Sequence, residues 1–343
     1  LKRFLLFFFF CSIFVSTACA ADNKGGVSAG KKINMVWQPV FEQENNFAMQ
    51  PKIEGINIIS PSWLAVTSAN GFIKNNIDEN YMKNAHEKGY EIWPLVSNNF
   101  DKDLTHAFLH DEKARAYIIR QLLFYAQKYK FDGYNFDFEN IYEGDKDILS
   151  LFIAQASAAL RKEGLRISMD VTVPSENSAW SKCYNREELA KHVDYLILMA
   201  YDEHSRLSPV SGSIASLSWV EEGIRRTLDA GVPREKLILG VPLYMRLWKE
   251  ENGKTTAKTL SMQEADELIM QYDIQPEWLQ NEGQFYFEYR KGAGRYRVWQ
   301  ENAASLRLKL TLIKKYDLPG AASWRKGFET ADIWSLFDNE LNK

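Results

Sequence analysis

Between residues 33 and 324 the chain alternates short apolar runs with longer stretches whose apolar residues recur every three or four positions. Eight runs have strand character: INMVWQPV (33–40), GINIISPSWLAV (55–66), YEIWPLVSN (90–98), DGYNFDFEN (132–140), LRISMDVTVP (165–174), VDYLILMAYD (193–202), KLILGVPLYMRLW (236–248) and GAASW (320–324). Segments such as EKARAYIIRQLLFYAQKYK and SLFIAQASAALRKEG between them keep helical spacing. Near-continuous apolar strands are expected where both faces of a parallel sheet are covered. Eight strand–helix alternations predict an α/β fold, a (β/α)8 TIM barrel, with an open doubly wound sheet as the alternative. The open sheet needs a glycine-rich phosphate turn after its first strand, and VWQPVFEQENN has none.

One interval is too long for a barrel loop. From about residue 249 to 300, SMQEADELIMQYD has helical spacing, and QFYFEYRKGAGRYRVW reads as a hairpin turning at Lys291-Gly292-Ala293-Gly294. This predicts a small α+β insertion after strand seven that walls one side of a cleft.

The fourth run breaks the apolar rule. In FDGYNFDFEN, Asn135, Asp137 and Glu139 alternate with Tyr134, Phe136 and Phe138, so the three polar side chains share one strand face. Barrel strands open onto the active-site face at their C-terminal ends, which puts Glu139 at the mouth, Asp137 deeper and Asn135 deeper still. Two carboxyls buried side by side cannot both ionise cheaply, so one keeps its proton. A protonated carboxylic acid at a cleft mouth is a donor for the leaving oxygen in glycosidic cleavage. A solvated strand face or a structural polar cluster gives the same alternation. Placement in the fourth of eight strands, away from an edge, favours a site.

Composition narrows the setting. Among 343 residues, 16 Tyr, 20 Phe and 10 Trp suit a sugar-binding cleft and an ordinary large core equally. A net charge of −3 with no basic cluster gives no electrostatic case for nucleic-acid binding. LKRFLLFFFFCSIFVSTACA (1–20) reads as a signal peptide: a basic start, an apolar run too short for a comfortable membrane span, and Ala18-Cys19-Ala20 as a cleavage site. Residues 21–32 then form a linker and 33–343 the barrel, secreted or associated with the cell wall, with no membrane association after cleavage. A lipoprotein anchored through Cys19 is the alternative. Cleavage leaves Cys183 alone, so no intrachain disulfide is expected. His106 and His110 stand four apart in THAFLHDE, but Ala107 occupies the glutamate position of an HExxH motif and no third ligand is evident. A solvated helix face is the expectation, with no metal and no cofactor. There is no GxSxG elbow, and a monomer is expected.

DGYNFDFE resembles the signature of glycoside hydrolase family 18, the chitinase-like barrels, written Asp-Gly-x-Asp-x-Asp-x-Glu. The match falls on Asp132, Gly133, Asp137 and Glu139, with Asn135 in place of the middle acid. MAYD (199–202), GVPLYMRLW and GAASW resemble the family's motifs on strands six, seven and eight, so the resemblance covers residues 33–343. It extends in particular to the bacterial branch of spore-cortex and cell-wall N-acetylglucosaminidases. The resemblance implies that the substrate's own 2-acetamido group is the nucleophile. Glu139 is then the general acid and base, Asp137 orients the acetamido group, and Tyr201 donates to its carbonyl oxygen. Trp324 floors the sugar site. Asn135 donates a hydrogen bond to Asp137, and Asp202 and Tyr244 contact sugar hydroxyls or serve as buried hydrogen-bonding residues. Met199 is a contact wall or core, and Met245, where the family often has Gly, suggests a bulkier rim. Trp37, Trp63 and Trp248 are stacking platforms or core, and Glu203 and His204 face the cleft or a solvated loop.

These readings predict a secreted, retaining hydrolase of β-linked N-acetylglucosamine polymers, peptidoglycan or chitin-like. The alternatives are a non-catalytic, lectin-like carbohydrate-binding barrel, an endo-enzyme acting on glycoprotein glycans, and a surface scaffold.

Overall fold

The computed structural model describes residues 31–39 and 50–342. The expected signal peptide, and the linker as far as residue 30, lie outside the described residues.

Strand Ile33–Gln38 pairs in parallel with both Gly320–Trp324 and Ile58–Pro61, so the sheet closes on itself. The second stave comes in two pieces, Ile58–Pro61 and Leu64–Val66. The third is divided likewise into Glu91–Ile92 and Leu95–Ser97, and each half pairs with its counterpart. Pro94 lies at the break in the third stave and has no N–H to give the ladder. Parallel pairing then runs through Gly133–Asp137, Arg166–Thr172, Tyr195–Met199 and Leu237–Pro242 to Gly320–Trp324. This is the predicted (β/α)8 barrel. Closure depends on Gly320, where a Cβ would stand 2.0 Å from the carbonyl oxygen of Ile33.

Two apolar layers hold the barrel. Met35, Trp37, Ile58, Trp93, Leu95, Ile197, Ile238 and Ala322 form a cluster of their own in the lumen. The larger layer lies between strands and helices. Helix Glu112–Tyr129 shows how sequence spacing makes that layer: Ala114, Ile118, Leu122 and Ala126 recur every fourth residue and are all buried. Burying each larger aliphatic side chain stabilises the fold by about 1.5–3 kcal/mol. Lys130, at φ 60°, ends the helix in a left-handed cap.

The seventh run is not one strand. Leu237–Pro242 belongs to the barrel, and Leu243 donates its N–H to the Trp324 carbonyl at 2.7 Å. Tyr244–Glu251 then leaves the barrel and pairs antiparallel with Lys254–Ser261 and Gly294–Gln300. An unbroken apolar run hides this division, because the residues of both pieces are buried near the junction. Five antiparallel strands and helix Met262–Gln271 thus occupy residues 244 to 300. Ser261 and Glu264 form a capping box at that helix's start. The hairpin Gln284–Lys291 to Gly294–Gln300 turns at the glycines where the sequence places it. Among the described residues no helix is long and apolar enough to cross a membrane.

Candidate active site

The C-terminal ends of the strands surround a cleft of about 1050 Å³. Asp137, Glu139, Met199, Tyr201, Asp202, Tyr244 and Trp324 all line it. Alternation on the fourth strand drives its aromatic face into the helical layer, where Tyr134, Phe136 and Phe138 are fully buried. The opposite face turns to the lumen. The strand's end is fastened from two sides. Asn98 accepts from the Glu139 N–H at 3.0 Å and donates to the Glu139 carbonyl at 2.7 Å, and the Tyr184 hydroxyl donates to the Phe138 carbonyl at 2.8 Å.

Asp137 is 5% exposed and shares a hydrogen bond with the Glu139 carboxyl. Burial pushes Asp137 up to about 7, and the bond from Glu139 offsets part of that rise. Burial, followed by the charges of Asp137, Asp170 and Asp202, holds Glu139 well above the usual carboxylate range. Asp137 therefore ionises first, and the shared proton stays on Glu139. Two buried polar atoms, Asp137 Oδ1 and the Tyr201 hydroxyl, have no hydrogen-bond partner among the described residues. Burial raises the Tyr201 phenol far above its ordinary value, with neighbouring acids adding to the effect, so it remains a donor.

Around this centre, Asp202 sits at φ 62° and accepts from the Tyr244 hydroxyl at 2.7 Å and Arg246 Nη2 at 2.8 Å. The Arg246 guanidinium also lies over the Tyr244 ring, 4.9 Å from its centroid. Trp324 faces the cleft and meets Trp37, fully buried behind it, at 5.8 Å between ring centroids. Glu203 lines the cleft too, with Oε2 accepting from the Ser216 N–H at 2.9 Å.

Several expected positions lie elsewhere. Asn135 is fully buried beneath the cleft and does not line it. Its Nδ2 donates to Asp170 Oδ1 at 2.8 Å and Ser168 Oγ at 3.1 Å, while its Oδ1 accepts from Trp37 Nε1 at 2.8 Å. The anticipated bond to Asp137 is replaced by one to the neighbouring strand. Met245 is fully buried and forms no rim. Trp63 and Trp248 are core, the latter donating its indole N–H to the Gly212 carbonyl at 2.8 Å. His204 binds the Ser213 carbonyl at 2.7 Å and does not line the cleft.

Asp170 is the main residue that reading the sequence misses. It is 1% exposed, lines the cleft, and is held well above the carboxylate range by burial and then by the Asp137 charge. A lone acid inside LRISMDVTVP was the available signal, since a strand covered on both faces has no solvent for it.

The sequence profile of glycosyl hydrolases family 18 matches residues 38–328. The chain belongs to this family. It is a glycoside hydrolase of the chitinase-like barrel type. Among family members, the uncharacterized glycosylase YvbX of Bacillus subtilis (strain 168) is 28% identical over 275 residues, 77% of this chain and 79% of its own. The cortical fragment-lytic enzyme of the same organism is 26% identical over 257 residues, covering 73% of this chain but only 59% of that longer protein. The crystal structure of a chitinase from Chromobacterium violaceum ATCC 12472 superposes with a TM-score of 0.82 at 25% identity, over 91% of this chain and 99% of that one.

Proposed function

We propose that this family 18 barrel is a retaining β-N-acetylglucosaminidase, exported to act on peptidoglycan glycan or chitin-like chains by substrate-assisted catalysis. The observation that carries this reading is the hydrogen-bonded Asp137–Glu139 pair. It stands at a cleft mouth beside two buried, unpartnered polar atoms, Asp137 Oδ1 and the Tyr201 hydroxyl. A buried polar atom without a partner costs about 1–3 kcal/mol. A 2-acetamido group complements both, because its N–H donates to Asp137 and its carbonyl oxygen accepts from Tyr201.

In the first step Glu139 gives its proton to the glycosidic oxygen as the bond to the anomeric carbon breaks. The acetamido carbonyl oxygen attacks that carbon from the opposite face and closes an oxazolinium ring. Asp137, ionised, accepts the ring N–H and offsets its positive charge. Glu139, now a carboxylate, takes a proton from water as the water oxygen opens the ring. Two inversions leave the configuration retained, and Glu139 regains its proton. Holding an internal nucleophile at attack distance removes rotational freedom before the reaction and contributes several kcal/mol. Trp324 offers aromatic surface to the apolar face of the pyranose, and the buried Trp37 packs against it.

Asp170 supplies a carboxyl next to the amide that replaces the signature's middle acid. Its charge, once it ionises, adds to burial and to Asp137 in raising Glu139, and Asn135 fixes its orientation.

Mass spectrometry of products from purified peptidoglycan and from chitin oligomers tests the proposal, with wild type and Glu139→Gln compared. New reducing ends at N-acetylglucosamine, reduced by about 10²–10⁴-fold in the variant, are expected. Equal rates in the two proteins, or binding with no turnover in wild type, contradict it, and the second outcome returns the lectin-like alternative.

A further inference from the structure

Outside the cleft, two histidines and a buried aspartate converge. His106 and His110 are separated by one turn of helix Lys102–His110 and share a face. Asp145, from the far side of the strand-four loop, reaches both: His106 Nδ1 lies 2.9 Å from each carboxylate oxygen, and His110 Nε2 lies 2.9 Å from Oδ1. The two imidazole rings stand 4.3 Å apart between centroids. The sequence reading lacked a third ligand because Asp145 lies 35 residues from His110 along the chain.

The geometry points to a binding site for one zinc-class divalent cation, held by His106, His110 and Asp145. All three ligand atoms lie within 4.8 Å of one another. Zinc takes imidazole nitrogen and carboxylate oxygen at about 2.0–2.2 Å. Tetrahedral angles then separate ligand atoms by roughly 3.3 Å, so the 2.9 Å hydrogen bonds need open by only a few tenths of an ångström. Two imidazoles and one carboxylate suit zinc, whereas calcium and magnesium prefer oxygen alone. Water would complete the fourth position.

A second observation singles out Asp145. It is the N-cap residue of helix Lys146–Leu160, a place where Asp ordinarily accepts a backbone N–H, yet its side chain makes no capping bond. The carboxylate is 4% exposed and turned toward the histidines, whose side chains are 52% exposed and leave an entry path. The Tyr142 ring stands edge-on to His106 at 5.8 Å and covers one side.

The ion would not touch substrate, because none of the three residues lines the cleft. It would join the helix after the third strand to the helix after the fourth. Thr105 of the first helix accepts from Asn98 at 2.8 Å, and Asn98 holds the Glu139 backbone. Metal binding therefore fastens the scaffold on which Glu139 stands.

Purified protein, stripped with chelator and dialysed against Zn²⁺, tests the site by bound-metal analysis and thermal melting. About one zinc per chain is expected, with a Tm that rises in excess Zn²⁺ and falls again with EDTA. His106→Ala/His110→Ala should lose zinc affinity by more than the about 10–100-fold typical of disturbing a residue behind the ligands. Far-UV circular dichroism and retained glycan hydrolysis check that this variant is folded. If it is not, the visible spectrum of wild type loaded with Co²⁺ decides, since nitrogen and oxygen ligation at low coordination gives intense ligand-field bands. Wild type that holds no zinc and shows no Tm shift, or a folded double variant that binds zinc as tightly, overturns the site and leaves a hydrogen-bonded His–Asp–His cluster.

Discussion

Asn135 donates its side-chain amide to Asp170 across two adjacent barrel strands, at 2.8 Å and out of reach of solvent. The contact ties a carboxyl on the fifth strand to the polar face of the fourth. Three acids, Asp137, Glu139 and Asp170, thereby share one lumen, and their proton affinities become interdependent.

The working form has Asp137 ionised and Glu139 protonated, so kcat/KM should be bell-shaped in pH. The rate falls in acid as Asp137 takes up its proton, near pH 7, and falls in alkali as Glu139 loses its own. Asp170→Asn removes one of the charges that hold Glu139 up, so the alkaline limb should move to lower pH. The acid limb should stay, because burial sets Asp137. Rate profiles of wild type and variant check this, and an unmoved alkaline limb removes Asp170 from the account.

Stability should carry the same signature. Asp137 is raised in the folded state from 3.8 to about 7, so it favours folding below its unfolded value and loses that contribution as pH climbs through 7. Replacing it by Asn should raise Tm relative to wild type at pH 8 and change it little near pH 4. The difference is on the order of a few kcal/mol at most. Melting curves at the two pH values give the answer; a Tm difference independent of pH contradicts the assignment.

Asn135→Asp exchanges an amide donor for a second acid facing Asp170. At neutral pH the variant should lose about 1–3 kcal/mol, the cost of a buried polar group without its partner. Acidification should restore part of that loss by protonating the introduced acid. Urea titrations at pH 5 and pH 8 measure it, and equal losses at both would argue against direct coupling.

Tyr201→Phe keeps the ring against Tyr244, 6.1 Å away, and deletes only the donor. Loss of one preorganised donor is expected to lower kcat by about 10²–10³-fold with a small change in KM. An effect confined to KM would place the hydroxyl in ground-state binding instead.

Much of this was legible in one dimension. The apolar runs located all eight staves, because strands covered on both faces leave an unbroken hydrophobic record. The alternation of Asn135, Asp137 and Glu139 marked the strand that opens into the cleft. What the chain order concealed depends on register between neighbours. Asn135 lies opposite Ser168, which sets Asp170 beside the acids, and nothing local to either strand fixes that offset. Asp145 and its two histidines meet for the same reason, through the packing of two helices. The seventh run concealed a change of sheet at Leu243, where burial continues although the pairing partner changes. Single tryptophans were equally opaque: Trp324 reached the cleft, while Trp37, Trp63 and Trp248 went to the core.

The most direct test compares cleavage of a β-linked N-acetylglucosamine oligomer with its de-N-acetylated counterpart, following product anomers by NMR at early times. Substrate-assisted catalysis predicts cleavage of the acetylated chain alone, with the β-anomer appearing first and the signal abolished in Glu139→Gln. Comparable rates on both chains, or first appearance of the α-anomer, would contradict it.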